Sequence, residues 1–158
     1  MTGNNRVIQA SGLSGPIPSG IALLEKLTDL RISDLNGSES TFPLLDNMNK
    51  MKTLILRNCN INGTIPDYLG NMTILKILDL SFNKLSGKIP SNLAGLSKVD
   101  YIFLTGNKLS GTVPDWLLKE GENIDISYNN FTVENSGALS CQQRSVNLFG
   151  SSSESNNS

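Results

Sequence analysis

No histidine occurs anywhere in the chain. That absence removes Ser-His and Cys-His nucleophile pairs, HExxH zinc sites and imidazole acid–base work. Cysteine is scarce: only Cys59 and Cys141 are present, too few for a disulfide-dense scaffold. Charge is sparse as well, 17% of residues with a net of -1. This balance gives no electrostatic argument for nucleic acid or an anionic membrane as partner. No hydrophobic run approaches the ~18 residues of a membrane span. The opening "MTGNNRVIQASG" has no apolar h-region, so no secretory signal is visible. On these grounds the chain reads as intracellular or as a piece of something larger. DxDxDG calcium spacing is missing too, and no metal or other cofactor is expected.

What is present is a repeat. "LRISDLNGSESTFP" begins at Leu30, "LILRNCNINGTIP" at Leu54, "LDLSFNKLSGKIP" at Leu78 and "IFLTGNKLSGTVP" at Ile102, each 24 residues on from the last. One step back lies "RVIQASGLSGPIP" from Arg6, and a shortened step forward gives "IDISYNNFTV" from Ile124. Six units therefore occupy residues 6–133, starting at 6, 30, 54, 78, 102 and 124. A fixed period of this length with LxLxxN/C spacing is the pattern of a solenoid.

Each position has a physical role. Leu78 and Leu80 alternate, as in a short strand with one buried face. Stacking one such strand per turn makes a parallel sheet. Asn83 ends the strand pointing inward, where a buried amide must be hydrogen-bonded. Gly87 admits a backbone conformation or close approach that a side chain would block, and Pro90 needs no amide partner. Leu93 and Leu96 return along the convex side. Down the units the asparagine column reads Ser11, Leu35, Cys59, Asn83, Asn107 and Asn129. Cys59 thus stands in the ladder as a weak thiol substitute. A Cys59–Cys141 bridge is not expected across several ~5 Å steps.

The segments "LSGPIP" (13–18), "INGTIP" (61–66), "LSGKIP" (85–90) and "LSGTVP" (109–114) resemble plant-type leucine-rich repeats. The resemblance implies an α/β-type repeat, a right-handed solenoid with a parallel inner sheet and short second strands. More finely, "LTDLRISDLNGSESTFP", "MKTLILRNCNINGTIPDYLG" and "IDISYNNF" resemble a group of plant receptor-like serine/threonine kinases. These carry an extracellular repeat domain, a malectin-like domain, a membrane span and a kinase. "SCQQRSVNLFGSSS" (140–153) is similar to the linker before the malectin-like domain. No GxGxxG loop, VAIK lysine, HRD or DFG is present, so this chain is not expected to be an enzyme. The resemblance implies a non-catalytic recognition module at the cell surface. Its partners would be a protein, peptide or carbohydrate ligand and a co-receptor. A stand-alone repeat scaffold or inhibitor without a kinase is the other reading.

Function is then sought on the outward residues of the inner sheet. The repeat register aligns Asn5, Asp29, Thr53, Ile77, Tyr101 and Asn123 in one column, and Val7, Arg31, Ile55, Asp79, Phe103 and Asp125 in the next. Gln9, Ser33, Arg57, Ser81, Thr105 and Ser127 form a third; Phe82 and Tyr128 share a fourth. Ile55, Arg57, Ile77, Asp79, Phe82, Tyr101, Phe103 and Tyr128 make a contact patch of the composition found at protein interfaces. Rings that merely shield the sheet are the plainer alternative. Asp79 and Asp125, ~10 Å apart at ~4.8 Å per strand, have the spacing of an inverting glycosidase pair but no other support. Asn36, Asn62, Asn71, Asn130 and Asn156 begin N-x-[ST] sequons. Residues 134–158, rich in Ser and Asn at the end, read as a flexible tail in which Cys141 awaits a partner downstream. The apolar layer near Arg6 lacks a polar cap, so the isolated chain is expected to be marginal or to associate.

Overall fold

The computed structural model describes residues 7–118 and 123–132 and the main chain of 146–147. In chain order the strands are β1 (Val7–Ser11), β2 (Asp29–Ser33), β3 (Ser40–Thr41), β4 (Thr53–Arg57), β5 (Ile61–Thr64) and β6 (Ile77–Asp79). There follow β7 (Lys84–Gly87), β8 (Tyr101–Phe103), β9 (Lys108–Thr112), β10 (Asn123–Asp125), β11 (Asn130–Thr132) and β12 (Val146–Asn147). They form two parallel sheets. The inner one runs β1-β2-β4-β6-β8-β10-β12 and the lateral one β11-β9-β7-β5-β3. Period-2 alternation drives the first: Leu30, Ile32, Leu54, Leu56, Leu78, Leu80, Ile102 and Leu104 are buried, and the residues between them face the other side of the sheet.

The chain returns along the convex side in 3₁₀ turns at Ser19–Leu23, Asp67–Asn71, Ser91–Gly95 and Asp115–Leu118. No α-helix occurs among the described residues; the returning segments are 3₁₀. Periodicity of three explains the choice. The carbonyls of Pro66, Leu69 and Met72 accept in turn from the N–H groups of Leu69, Met72 and Leu75. With three residues per turn, those side chains stack on one buried face. Leu45, Met48 and Met51 repeat the pattern, as do Leu93, Leu96 and Val99. Each segment lays its apolar side against the inner sheet, and one continuous core results.

Inside each bend the asparagine ladder closes the hydrogen-bond account. The Asn83 amide oxygen accepts from Cys59 N (2.9 Å) and Ile61 N (3.2 Å) of the preceding turn. Its nitrogen donates to the carbonyls of Leu56 (2.7 Å), Leu80 (3.0 Å) and Ser81 (3.3 Å). Asn107 and Asn129 repeat the geometry one and two turns on. The Cys59 thiol takes the donor half of the role, reaching Ile32 O at 3.3 Å. It cannot serve as a strong acceptor, and the main chain compensates: Leu35 N donates to Asn58 O at 3.0 Å. Burial pushes the Cys59 thiol up to about 11. At pH 8 roughly one thousandth is then thiolate. In a Cys141→Ser variant, a thiol-specific chromogenic reagent is expected to find no reactive sulfur until urea unfolds the protein. Prompt labelling of the folded variant would refute this.

The first turn departs from the repeat register. Val7 sits beside Asp29, Gln9 beside Arg31 and Ser11 beside Ser33. Val7 therefore takes the place beside Asp29 that the register gave to Asn5, which lies outside the described residues, and Ser11 belongs to a strand, not to the ladder. Two fewer residues separate Val7 from Pro18 than Ile77 from Pro90. The shortening falls at Gly12, whose left-handed turn (φ 67) and N–H to Ser33 O (3.2 Å) replace the asparagine-bearing loop. This turn also carries exposed Val7, Leu13, Leu23 and Leu24. Of residues 134–158 only Val146–Asn147 is described, and it pairs with β10; Cys141, Asn156 and the rest lie outside the described residues.

Candidate functional site: the concave face

The outward residues of β2, β4, β6, β8 and β10 fall into straight rows. Asp29, Thr53, Ile77, Tyr101 and Asn123 are direct neighbours, and Arg31, Ile55, Asp79, Phe103 and Asp125 form the adjacent row. Tyr101 and Phe103 alternate on one strand, with ring centroids 6.0 Å apart at an interplanar angle of 39°. Ile55 and Ile77 are half-buried beside them. Phe82 and Tyr128 are exposed at the strand ends and hold left-handed backbones, φ 58 and 54. Bulky side chains rarely adopt that conformation. The Arg57 guanidinium lies 5.0 Å from the Phe82 ring centroid, a cation–π contact. Ile55, Arg57, Ile77, Phe82, Tyr101 and Phe103 thus lie on one face of adjacent turns.

Asp79 is placed differently from the rest. It is buried, and its carboxylate accepts from Ser81 N at 2.9 Å. Asp125 does the same for Ser127, from N (3.0 Å) and from Oγ (2.6 Å). Both carboxylates therefore hold their own turns, which accounts for their shared column without any glycosidic chemistry. Among the described residues, no group of three or more His, Cys, Asp or Glu could hold a metal ion.

An open groove of about 540 Å³ lies at the other end of the face, lined by Gln9, Ser11, Arg31, Ser33 and Ile55. The repeat register expects Gln9 beside Ser33 and Ser11 in the asparagine column; the two-residue shift brings them instead beside Arg31 and Ser33. The signal in the sequence is Arg6, a charged residue where that register puts a buried leucine.

Of the sequons, Asn36, Asn71 and Asn130 are exposed. Asn62 is half-buried on β5 and donates its amide N–H to Glu39 (3.1 Å). Glu39 also pairs with Lys84. The Lys84 hydrogen bond, with that of Asn62 behind it, holds the Glu39 carboxyl below its usual range. On the convex side Tyr68 links two turns: its hydroxyl donates to Pro43 O (2.7 Å) and accepts from Leu45 N (3.1 Å). Burial pushes its phenol up to about 12.

Two parallel sheets, an asparagine ladder and four proline-led 3₁₀ returns define a repeat solenoid, and the chain belongs to the leucine-rich repeat family. The family model described as "Leucine rich repeat" matches residues 49–109. Among individual proteins, the chain is 57% identical over 126 residues to a probable leucine-rich repeat receptor-like serine/threonine-protein kinase of Arabidopsis thaliana. The match covers 79% of this chain and 12% of that protein. Solved neighbours include the Arabidopsis receptor kinase HAESA in complex with the peptide hormone IDA and the co-receptor SERK1. That pair is 32% identical at a TM-score of 0.71, covering 79% of this chain and 22% of the other. The BIR3–SERK2 complex from Arabidopsis thaliana gives 31% identity and a TM-score of 0.68, covering 81% and 70%. No helix among the described residues is long and apolar enough to cross a membrane.

Proposed function

We propose that the chain is the ligand-recognition part of a receptor-like kinase ectodomain at the cell surface, binding through its concave face. The observation that carries the reading is the patch of Tyr101, Phe103 and Phe82 with Arg57 stacked on it. Exposed aromatics clustered with arginine mark contact surfaces. The HAESA neighbour holds a peptide hormone and a co-receptor, and these supply the partner classes. Carbohydrate is the less favoured ligand. Exposed Asn36, Asn71 and Asn130 would accept glycans in a secreted protein. Signalling would pass to a kinase in the longer protein, since nothing in this chain performs phosphoryl transfer.

The test is selection of a random linear peptide library on the immobilised chain, followed by titration against a Tyr101→Ala/Phe103→Ala variant. Binders are expected to lose at least tenfold in affinity while circular dichroism stays unchanged. Binders indifferent to the double substitution would remove the concave face from the proposal.

A further inference from the structure

Resting on that reading, we infer that the concave face takes an extended acidic peptide, with an Asp or Glu side chain docked between Arg31 and Arg57. Arg57 borders the groove that Arg31 lines, because it is the register partner of Ser33. One strand step of ~4.8 Å and a two-residue offset of ~6.8 Å place the two Cα atoms about 8 Å apart. Both guanidinium groups can therefore reach one carboxylate.

The cations are available. Arg57 has no carboxylate partner among the described residues. Its cation–π approach to Phe82, 5.0 Å from guanidinium carbon to ring centroid, holds the side chain near the face without neutralising its charge. Arg31 has one long contact, 3.5 Å from a single nitrogen to Asp29. The nearby acids are engaged elsewhere: Asp79 and Asp125 in their own turns, and Asp34 with the Asn58 amide at 2.9 Å. A carboxylate offered from outside meets paired donors of the bidentate kind.

The rest of the surface selects a peptide. From midway between β2 and β4 to β8 is two and a half strand steps, about 12 Å, which an extended chain covers in about four residues. Side chains alternate along an extended chain, so the residue four positions from the acid faces the same way and meets Tyr101 and Phe103. Half-buried Ile55 and Ile77 floor the path between. Aliphatic side chains leave the hydroxyls of a uronic-acid sugar without partners there, whereas an apolar peptide side chain needs none.

The experiment uses the peptides selected above, resynthesised with amidated C-termini so that only side-chain carboxylates remain. They are titrated against the native chain, Arg31→Gln, Arg57→Gln and Tyr101→Ala/Phe103→Ala. Selected sequences are expected to carry Asp or Glu about four residues from an aromatic or aliphatic residue. Arg57→Gln should weaken them at least tenfold. Exchanging the peptide acid for its amide should weaken native binding by a similar factor, and binding to Arg57→Gln hardly at all, as a coupled pair requires. Peptides that depend on Tyr101 and Phe103 but ignore both arginine substitutions would overturn acid docking and leave the concave reading standing. Peptides that ignore all the variants would overturn both. An oligogalacturonate that binds through Arg31 and Arg57 while no peptide does would overturn the choice of a peptide.

Discussion

Asn83→Ala is expected to destabilise the solenoid more than any other side-chain truncation on its bends. The substitution strands two buried N–H groups, those of Cys59 and Ile61, and removes donors from three carbonyls. At about 1–3 kcal/mol for each unsatisfied buried group, the two N–H groups alone cost about 2–6 kcal/mol. A domain of this size has about 5–15 kcal/mol in total, so the variant sits near the edge of folding. Water cannot readily replace the amide, because Asn83 is only 6% exposed. Urea denaturation at constant protein concentration measures the loss. Asn92→Ala is the control: it also removes a short bond, to Asp67 O at 2.6 Å, but on an exposed convex side chain. A midpoint for Asn83→Ala no lower than that of the control would sink the argument. Hydrogen exchange gives the local readout, since the Cys59 and Ile61 amides should lose protection first.

The ladder was legible in the sequence because it obeys two rules at once. The amide recurs after 24 residues and then after 22, and each time it directly follows the inner alternation. Cys59 could be placed by register alone. What register could not show is that the main chain of Asn58 takes over the acceptor duty the thiol abandons. The first turn misled because it was aligned on the 24-residue step and the distance to Pro18, which put Arg6 where the structure places the apolar Ile8. A deletion in a bend leaves the strand alternation intact while sliding it by two, which preserves the buried face and so hides the error. Concave exposure was the least legible property. Asp79 and Ser81 are outward positions, yet both are buried. An Asx turn draws one carboxylate into its own backbone, and nothing in the spacing distinguishes that aspartate from one offered to a ligand. Tyr68 was missed because its partner is a main-chain carbonyl of the preceding unit, Pro43 O, and such a contact leaves no mark in side-chain spacing.

The glycines of the convex turns give a prediction with opposite signs at equivalent kinds of position. Gly70 and Gly20 both lie within 3₁₀ turns, and neither has a positive φ. Backbone conformation therefore permits alanine at both. At Gly20 nothing lies within 4 Å of the added Cβ. Gly20→Ala should stabilise by about 0.4–1 kcal/mol, through the lower entropy of the unfolded chain. At Gly70 the Cβ would be driven into the main-chain carbonyl of Asn92, with its carbon at 2.5 Å and the Asn92 Nδ2 at 2.8 Å. The next turn is built equally close, since a Cβ on Gly95 would meet Gly70 O at 2.6 Å. Overpacking against flexible side chains costs about 1–3 kcal/mol. Here the obstacle is backbone, and relief requires Asp67–Asn71 and Ser91–Gly95 to separate, opening the core over Leu69 and Leu93. Gly70→Ala should therefore exceed that range, and thermal and urea melts of the two variants should move in opposite directions from the parent. If Gly70→Ala melts with the parent or above it, the two turns are not held as closely as their glycines allow.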